Sequence, residues 1–289
     1  MKPIEECTVG IVGLGLMGGA FAMALRERCC LAQNRLFACD TDGGTLAAAK
    51  QAGLIGRGWQ GDEAVSEMLG ACDLVFLCLN PSTLIRFLEK WEPSFKSGAL
   101  LTDIAGIKGS VVRTAEKFRK DVDFIPGHPM AGAEKGGFAN AGLCKFRGKN
   151  YILTTLRRNK PGNLDFLKNL IRRMGFGSIS EVSAAEHDRK IAFTSQLCHI
   201  IAAALIDCEA DTAITRFGGG SFEDLTRIAM LNAPMWAGLF IENRENLLAR
   251  IEQFEGSLDT LKSLIHSADA AALEKRLDLV RERRTAMSG

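Results

Sequence analysis

The sequence predicts an α/β domain built on a parallel sheet, followed by an all-helical domain, and three observations carry that reading. Short β-branched or apolar runs alternate with helical patterns through the first part of the chain, a glycine-rich turn follows the first of these runs, and strand signals cease after Ser183. The division this implies is residues 1–182 and residues 183–289.

Strands are expected at residues 8–13, 35–40, 73–79, 99–103, 123–126 and 150–156. Between them, residues 16–31, 109–119 and 163–174 carry apolar side chains at helical spacing, with Leu164, Leu167, Leu170 and Ile171 in the last. Repetition of strand, helix and strand places helices on both faces of a parallel sheet. In the second half, residues 191–206 are apolar nearly all round, so that helix must be enclosed. The first domain could cover it, or a second copy of the chain could do so as a two-fold homodimer. Downstream, Leu247, Leu248, Ile251, Phe254, Leu258, Leu261, Leu264 and Ile265 describe an amphipathic helix or helix pair, and Arg281 to Arg284 a solvated helix end.

Composition narrows the classes. With 36 basic and 34 acidic side chains the net charge is +2, which gives no field for nucleic acid or an anionic membrane. Nine cysteines, an odd number without a C-x-x-C pair, argue against a disulfide framework and for a reducing, cytoplasmic setting. Residues 7–25 are uncharged and could pass for a signal peptide, but five glycines among them and Glu5 and Glu6 before them argue otherwise. No other run is expected to reach the roughly 20 apolar residues of a membrane helix. No clustered metal-ligand pattern is present either, so no metal site is expected.

The glycines cluster at residues 13–19, 127–137 and 218–220. In the first cluster, Gly13, Gly15 and Gly18 form G-x-G-x-x-G between a strand and a helix, the fingerprint of a Rossmann-type dinucleotide-binding domain. Gly13 would permit the turn, Gly15 the approach of a pyrophosphate and Gly18 close helix-to-strand packing, while Leu16 and Met17 open the helix whose amides face the phosphates. Asp40 closes the second strand, where a carboxylate accepts ribose hydroxyls and repels a 2′-phosphate, favouring NAD over NADP. Asp40 or its neighbour Asp42 could instead cap a turn. Asn80, just past residues 73–79, is counted with the cofactor residues.

Of four histidines, His128 lies in Gly-His-Pro-Met-Ala-Gly just beyond a strand, where an open α/β sheet presents its ligand crevice. It is the general-base candidate, with a merely structural loop histidine as the alternative. His199, within the apolar helix, reads by itself as a satisfied core residue, His187 as a helix-start residue and His266 as solvent-facing. Arg227 follows the third glycine cluster, and its planar fork suits a carboxylate ligand or a salt bridge to Glu223 or Asp224.

Taken together, these segments resemble the prephenate/arogenate dehydrogenases. The likeness rests on the opening glycine loop, Thr102-Asp103 through Lys108, His128 to Gly132 with Glu134, His187-Asp188 followed by His199, and the Gly-Gly-Ser-Phe-x-Asp-x-Thr-Arg-Ile-Ala block with Met235-Trp236. It implies NAD-dependent oxidative decarboxylation of a cyclohexadienyl substrate, with a Rossmann domain, a helical dimerisation domain and an active site between them. By motif, His128 would hold and deprotonate the ring hydroxyl, Arg227 would anchor a carboxylate, and His199, Gln196 and Gly132 would line the substrate pocket. Gly106 stands where the family commonly has serine, and Ser195-Gln196-Leu197-Cys198-His199 where many relatives carry a second histidine and a proline. No length is expected to remain for a chorismate mutase or regulatory domain. Alternatives are a 3-hydroxyacid-type dehydrogenase, whose expected lysine and asparagine would fall at Lys190 and Thr194, and a non-catalytic NAD-binding sensor.

Overall fold

The structure, a computed structural model, describes residues 1–133 and 135–287, apart from the side chains of residues 62–64. Its first part alternates β1 (Val9–Val12), α1 (Leu16–Glu27), β2 (Leu36–Cys39), α2 (Gly43–Gln51), β3 (Arg57–Trp59), α3 (Asp62–Ala71), β4 (Leu74–Leu77), α4 (Pro81–Trp91), β5 (Leu100–Asp103), α5 (Gly109–Ala115) and β6 (Asp123–Phe124). These strands form one parallel sheet in the order β3-β2-β1-β4-β5-β6. Every residue of β1, β4 and β5 is buried, because helices cover both faces and leave no polar side to alternate with. One core, centred on Ile11, Phe21, Leu25 and Phe76, lies on one face, and another, on Leu77, Leu84, Leu101 and Phe124, on the other. Strand order reverses between β1 and β4, which opens a crevice at the carboxyl ends of those strands.

A second sheet departs from expectation. β7 (Gly127–Pro129) pairs antiparallel with β8 (Asn150–Leu153), which pairs parallel with β9 (Ser178–Glu181) after α6 (Pro161–Met174). The run at 150–156 therefore belongs to this small sheet rather than to the main one. β3, β7 and β9 carry no apolar run that would announce them. β9 is half-exposed throughout, the first two residues of β3 face solvent, and β7 is a Gly-His-Pro tripeptide.

The remainder is helical: α7 (Ala184–Ile191), a π-helical stretch (Ala192–Leu197), α8 (Cys198–Asp207), α9 (Gly220–Thr226), α10 (Ala233–Glu242), α11 (Arg244–His266) and α12 (Ala270–Ala286). From α7 to α8 the backbone runs on as one 24-residue rod, Ala184–Asp207, long and apolar enough by length and composition to cross a membrane. That corrects the expectation that no such helix follows the N-terminal stretch. Its first turns carry charge, and His187 and Asp188 are buried. Full enclosure within one chain is not found: 28% of its most apolar window is buried, and Phe193, Leu205 and Ile206 are exposed.

Candidate active site between the two domains

The glycine loop is shaped by three different demands. Gly13, after β1, has φ +86°, and a Cβ there would stand 2.6 Å from the Cys78 carbonyl oxygen. A Cβ on Gly18 would collide with the Gly13 carbonyl oxygen, so this glycine lets α1 press against the turn. At Gly15, the N-cap of α1, a Cβ would meet nothing within 4 Å. The amides of Leu16 and Met17 thus begin a helix whose N-terminus is open to an anion. Asp40 follows β2, and its carboxylate accepts from Leu14 N at 2.6 Å and Asp42 N at 2.9 Å, bracing the loop from the neighbouring strand. Asp42 is the turn residue, capping α2 through Gly44 N. Asn80 sits at the carboxyl end of β4, where its Oδ1 caps α4 through Thr83 N at 3.0 Å.

From β5 a buried polar network crosses to the helical domain. The Asp103 carboxylate takes Gly127 N at 3.0 Å on Oδ1, and Ala105 N at 2.8 Å and Lys108 Nζ at 2.6 Å on Oδ2, with both members of the ion pair fully buried. Burial pulls the Lys108 ammonium below its usual range, against the pull of Asp103 and Asp188. Lys108 N and Gly109 N donate at 2.8 Å to the two oxygens of Asp188 on α7, which thereby caps α5 from the other domain. His187 Nδ1 lies 2.7 Å from Asp188 Oδ1, and His187 Nε2 lies 2.9 Å from His128 Nδ1.

His128 itself is half-buried. Desolvation, then the facing His187 and the Lys108 cation, hold its imidazole well below the ordinary value of 6.5, so it is neutral near pH 7. His187 is lowered as well, by burial, with the Asp188 hydrogen bond opposing. Beside the outer edge of the His128 ring lies Gly106, where a Cβ would stand 3.9 Å from both Cε1 and Nε2 and 3.4 Å from Leu239 Cδ2 of α10. The glycine thus leaves a gap next to Nε2 that the helical domain roofs.

The structure brings together His128, Gly106, His187 and Asp188. His187 stands in the first turn of α7, as its sequence position suggests, and it is also buried against the general-base candidate. Nothing in its sequence position signals this, because the partner lies 59 residues away. His199 turns Nδ1 to Ser195 O at 2.8 Å and stacks on Trp236 with centroids 3.7 Å apart, and burial lowers its pKa. Gln196, expected to line the substrate pocket, is buried at the junction of three helices. Its Nε2 donates to Leu239 O at 3.1 Å and its Oε1 accepts from Asn243 Nδ2 at 2.8 Å, so both ends of the amide tie α10 and the start of α11 to the rod. Arg227 is exposed, on a 3-10 turn (Arg227–Ala229) packed against α8. Gly132 is exposed in the loop after β7, and Glu134 lies outside the described residues.

Residues 21–179 match the family model of the prephenate dehydrogenase nucleotide-binding domain, and residues 183–279 that of the prephenate dehydrogenase dimerization domain. The chain belongs to the prephenate dehydrogenase family. Like its relatives it is an oxidoreductase. The Lactococcus lactis prephenate dehydrogenase is 30% identical over 96% of this chain and 76% of its own. The crystal structure of Aquifex aeolicus prephenate dehydrogenase in complex with hydroxyphenyl propionate and NAD+ superposes with a TM-score of 0.85 at 30% identity, covering 96% of this chain and 97% of that one. Synechocystis arogenate dehydrogenase superposes at 0.79 and 26% identity, over 96% and 99%. Prephenate dehydrogenase architecture thus accounts for a nucleotide-binding domain joined to a dimerisation domain with His128 at their junction.

Proposed function

We propose that this chain oxidatively decarboxylates prephenate or arogenate with NAD as cofactor, using His128 as the general base. The observation that carries the proposal is a half-buried imidazole whose Nδ1 is engaged by His187 while Nε2 borders the gap at Gly106, at the end of the strand next to β4.

The residues present fit NAD. Gly13, Gly15, Gly18 and the first amides of α1, at Leu16 and Met17, would hold the pyrophosphate, Asp40 the adenosine ribose, and Asn80 would stand at the far side of the crevice. NAD, when bound, supplies the hydride acceptor. His128 Nε2 takes the proton of the ring hydroxyl as the carbon bearing it is oxidised. The ring carboxylate then departs as carbon dioxide, and its bonding electrons enter the ring, which becomes aromatic. The proton returns from His128 to the oxygen, giving a phenol. Arg227 anchors a substrate carboxylate, His199 lines the pocket with Trp236, and the loop at Gly132 closes the side beyond β7. The family's dimerisation domain joins two copies as a homodimer, which covers the exposed apolar side of the rod.

A four-way assay of prephenate and arogenate with NAD and NADP tests this reading. NADH formation from at least one substrate is expected, with NAD preferred because Asp40 repels a 2′-phosphate. No turnover with either substrate would favour a non-catalytic NAD-binding protein.

A further inference from the structure

We infer that His187 and Asp188 are positioning residues that hold His128 in the one tautomer able to act as a base at Nε2. The inference rests on the reading that Nε2 receives the substrate proton, and it follows from counting donors and acceptors along a buried chain.

Asp188 fixes one end. Both of its oxygens accept backbone amides, Lys108 N on Oδ1 and Gly109 N on Oδ2, so the group is an acceptor at each. At 2.7 Å from Oδ1, His187 Nδ1 must therefore carry a hydrogen, since a ring lone pair facing a carboxylate would be repelled. His187 is neutral, because burial holds it below its ordinary range, so its Nε2 is a bare acceptor. The 2.9 Å contact between that nitrogen and His128 Nδ1 then requires the hydrogen to sit on His128 Nδ1. His128 Nε2 is left with its lone pair beside Gly106. A neutral imidazole not so constrained could carry its hydrogen on Nε2, where it could donate to a hydroxyl oxygen but not deprotonate it.

The same chain serves the protonated state. When Nε2 takes the proton, the imidazolium donates from Nδ1 to His187, whose own Nδ1–H points at the Asp188 carboxylate, so charge developing on His128 is stabilised through the intervening ring. Lys108, which would oppose that charge, is offset by Asp103 at 2.6 Å.

Imidazole 15N NMR reads the tautomers directly in the protein without substrate, and only four histidines need assignment. The native protein should show His128 and His187 both as Nδ1–H. His187→Leu should abolish that preference at His128 and lower kcat about 100-fold with KM values within about threefold. His187→Gln, whose amide can donate to Asp188 and accept from His128, should restore kcat to within about tenfold of the native enzyme. His128 found as Nε2–H in the native protein overturns the inference, and so does a leucine variant with native tautomer and native kcat. The native spectrum decides the point even where the leucine variant fails to fold. Native tautomers without turnover of either substrate would leave the relay standing and sink the proposed activity.

Discussion

Two glycines of the loop after β1 make separable predictions. Gly18→Ala would force a Cβ onto the Gly13 carbonyl, backbone against backbone, and should destabilise the fold by about 1–3 kcal/mol, read as a lowered denaturation midpoint. Gly15→Ala meets nothing within 4 Å, so the same measurement should be near native while titration with NAD shows weakened binding. His128→Asn removes the proposed base and should lower kcat by roughly 10²–10⁴-fold with little change in KM. A variant whose loss falls on KM alone would remove His128 from the chemistry. The imidazoles also make stability depend on pH. Both His128 and His187 are held below 6.5 in the folded chain, so the unfolded chain binds more protons as pH falls. Their contribution is complete above about pH 6.5 and is lost on acidification below it. The melting temperature should decline below pH 6.5, and His187→Gln should make that decline shallower.

At the scale of elements, the site is a junction between β5, β7, α5 and α7. Asp103 at the end of β5 holds both Gly127, the residue before His128, and Lys108, while Asp188 on α7 caps α5. Lys108→Met leaves Asp103 buried without its cation, and by the general behaviour of broken buried pairs it should cost about 3–5 kcal/mol in urea denaturation. A cost near zero would show that Asp103 is satisfied by Gly127 and Ala105 amides alone. Much of the element order was legible: helical periodicity found α1, α5 and α6, and apolar runs found β1, β2, β4, β5, β6 and β8. Left unassigned by periodicity were α2, α3 and α4, together with β3, β7 and β9, short or exposed strands stabilised by pairing with a neighbour rather than by an apolar face of their own.

For the molecule as a whole, the rod Ala184–Asp207 runs from the domain junction to an exposed apolar side. Its start, at His187 and Asp188, is buried against the nucleotide-binding domain, while Phe193, Leu205 and Ile206 further along are exposed. A second copy covering that side, as proposed, would make dimerisation and site assembly depend on one helix. Ile206→Glu should shift the protein toward monomer in sedimentation velocity. A native-like dimer in that variant would place the interface on another face.

The G-x-G-x-x-G turn, the parallel alternation and the candidacy of His128 were legible in the sequence itself. Each rests on local chemistry: backbone freedom at glycine, the periodicity of burial, and an imidazole just past a strand. Tertiary structure decided how those pieces act on one another. It put His187 against His128 and the Asp188 carboxylate over the start of α5, and it set the Gln196 amide between helices. Hydrogen bonds between residues tens of positions apart leave no mark in local spacing, since any donor and acceptor can meet once the chain has packed. Gly106 belongs to both accounts: the resemblance marks it as a missing hydroxyl, and only the fold places that absence beside His128 Nε2.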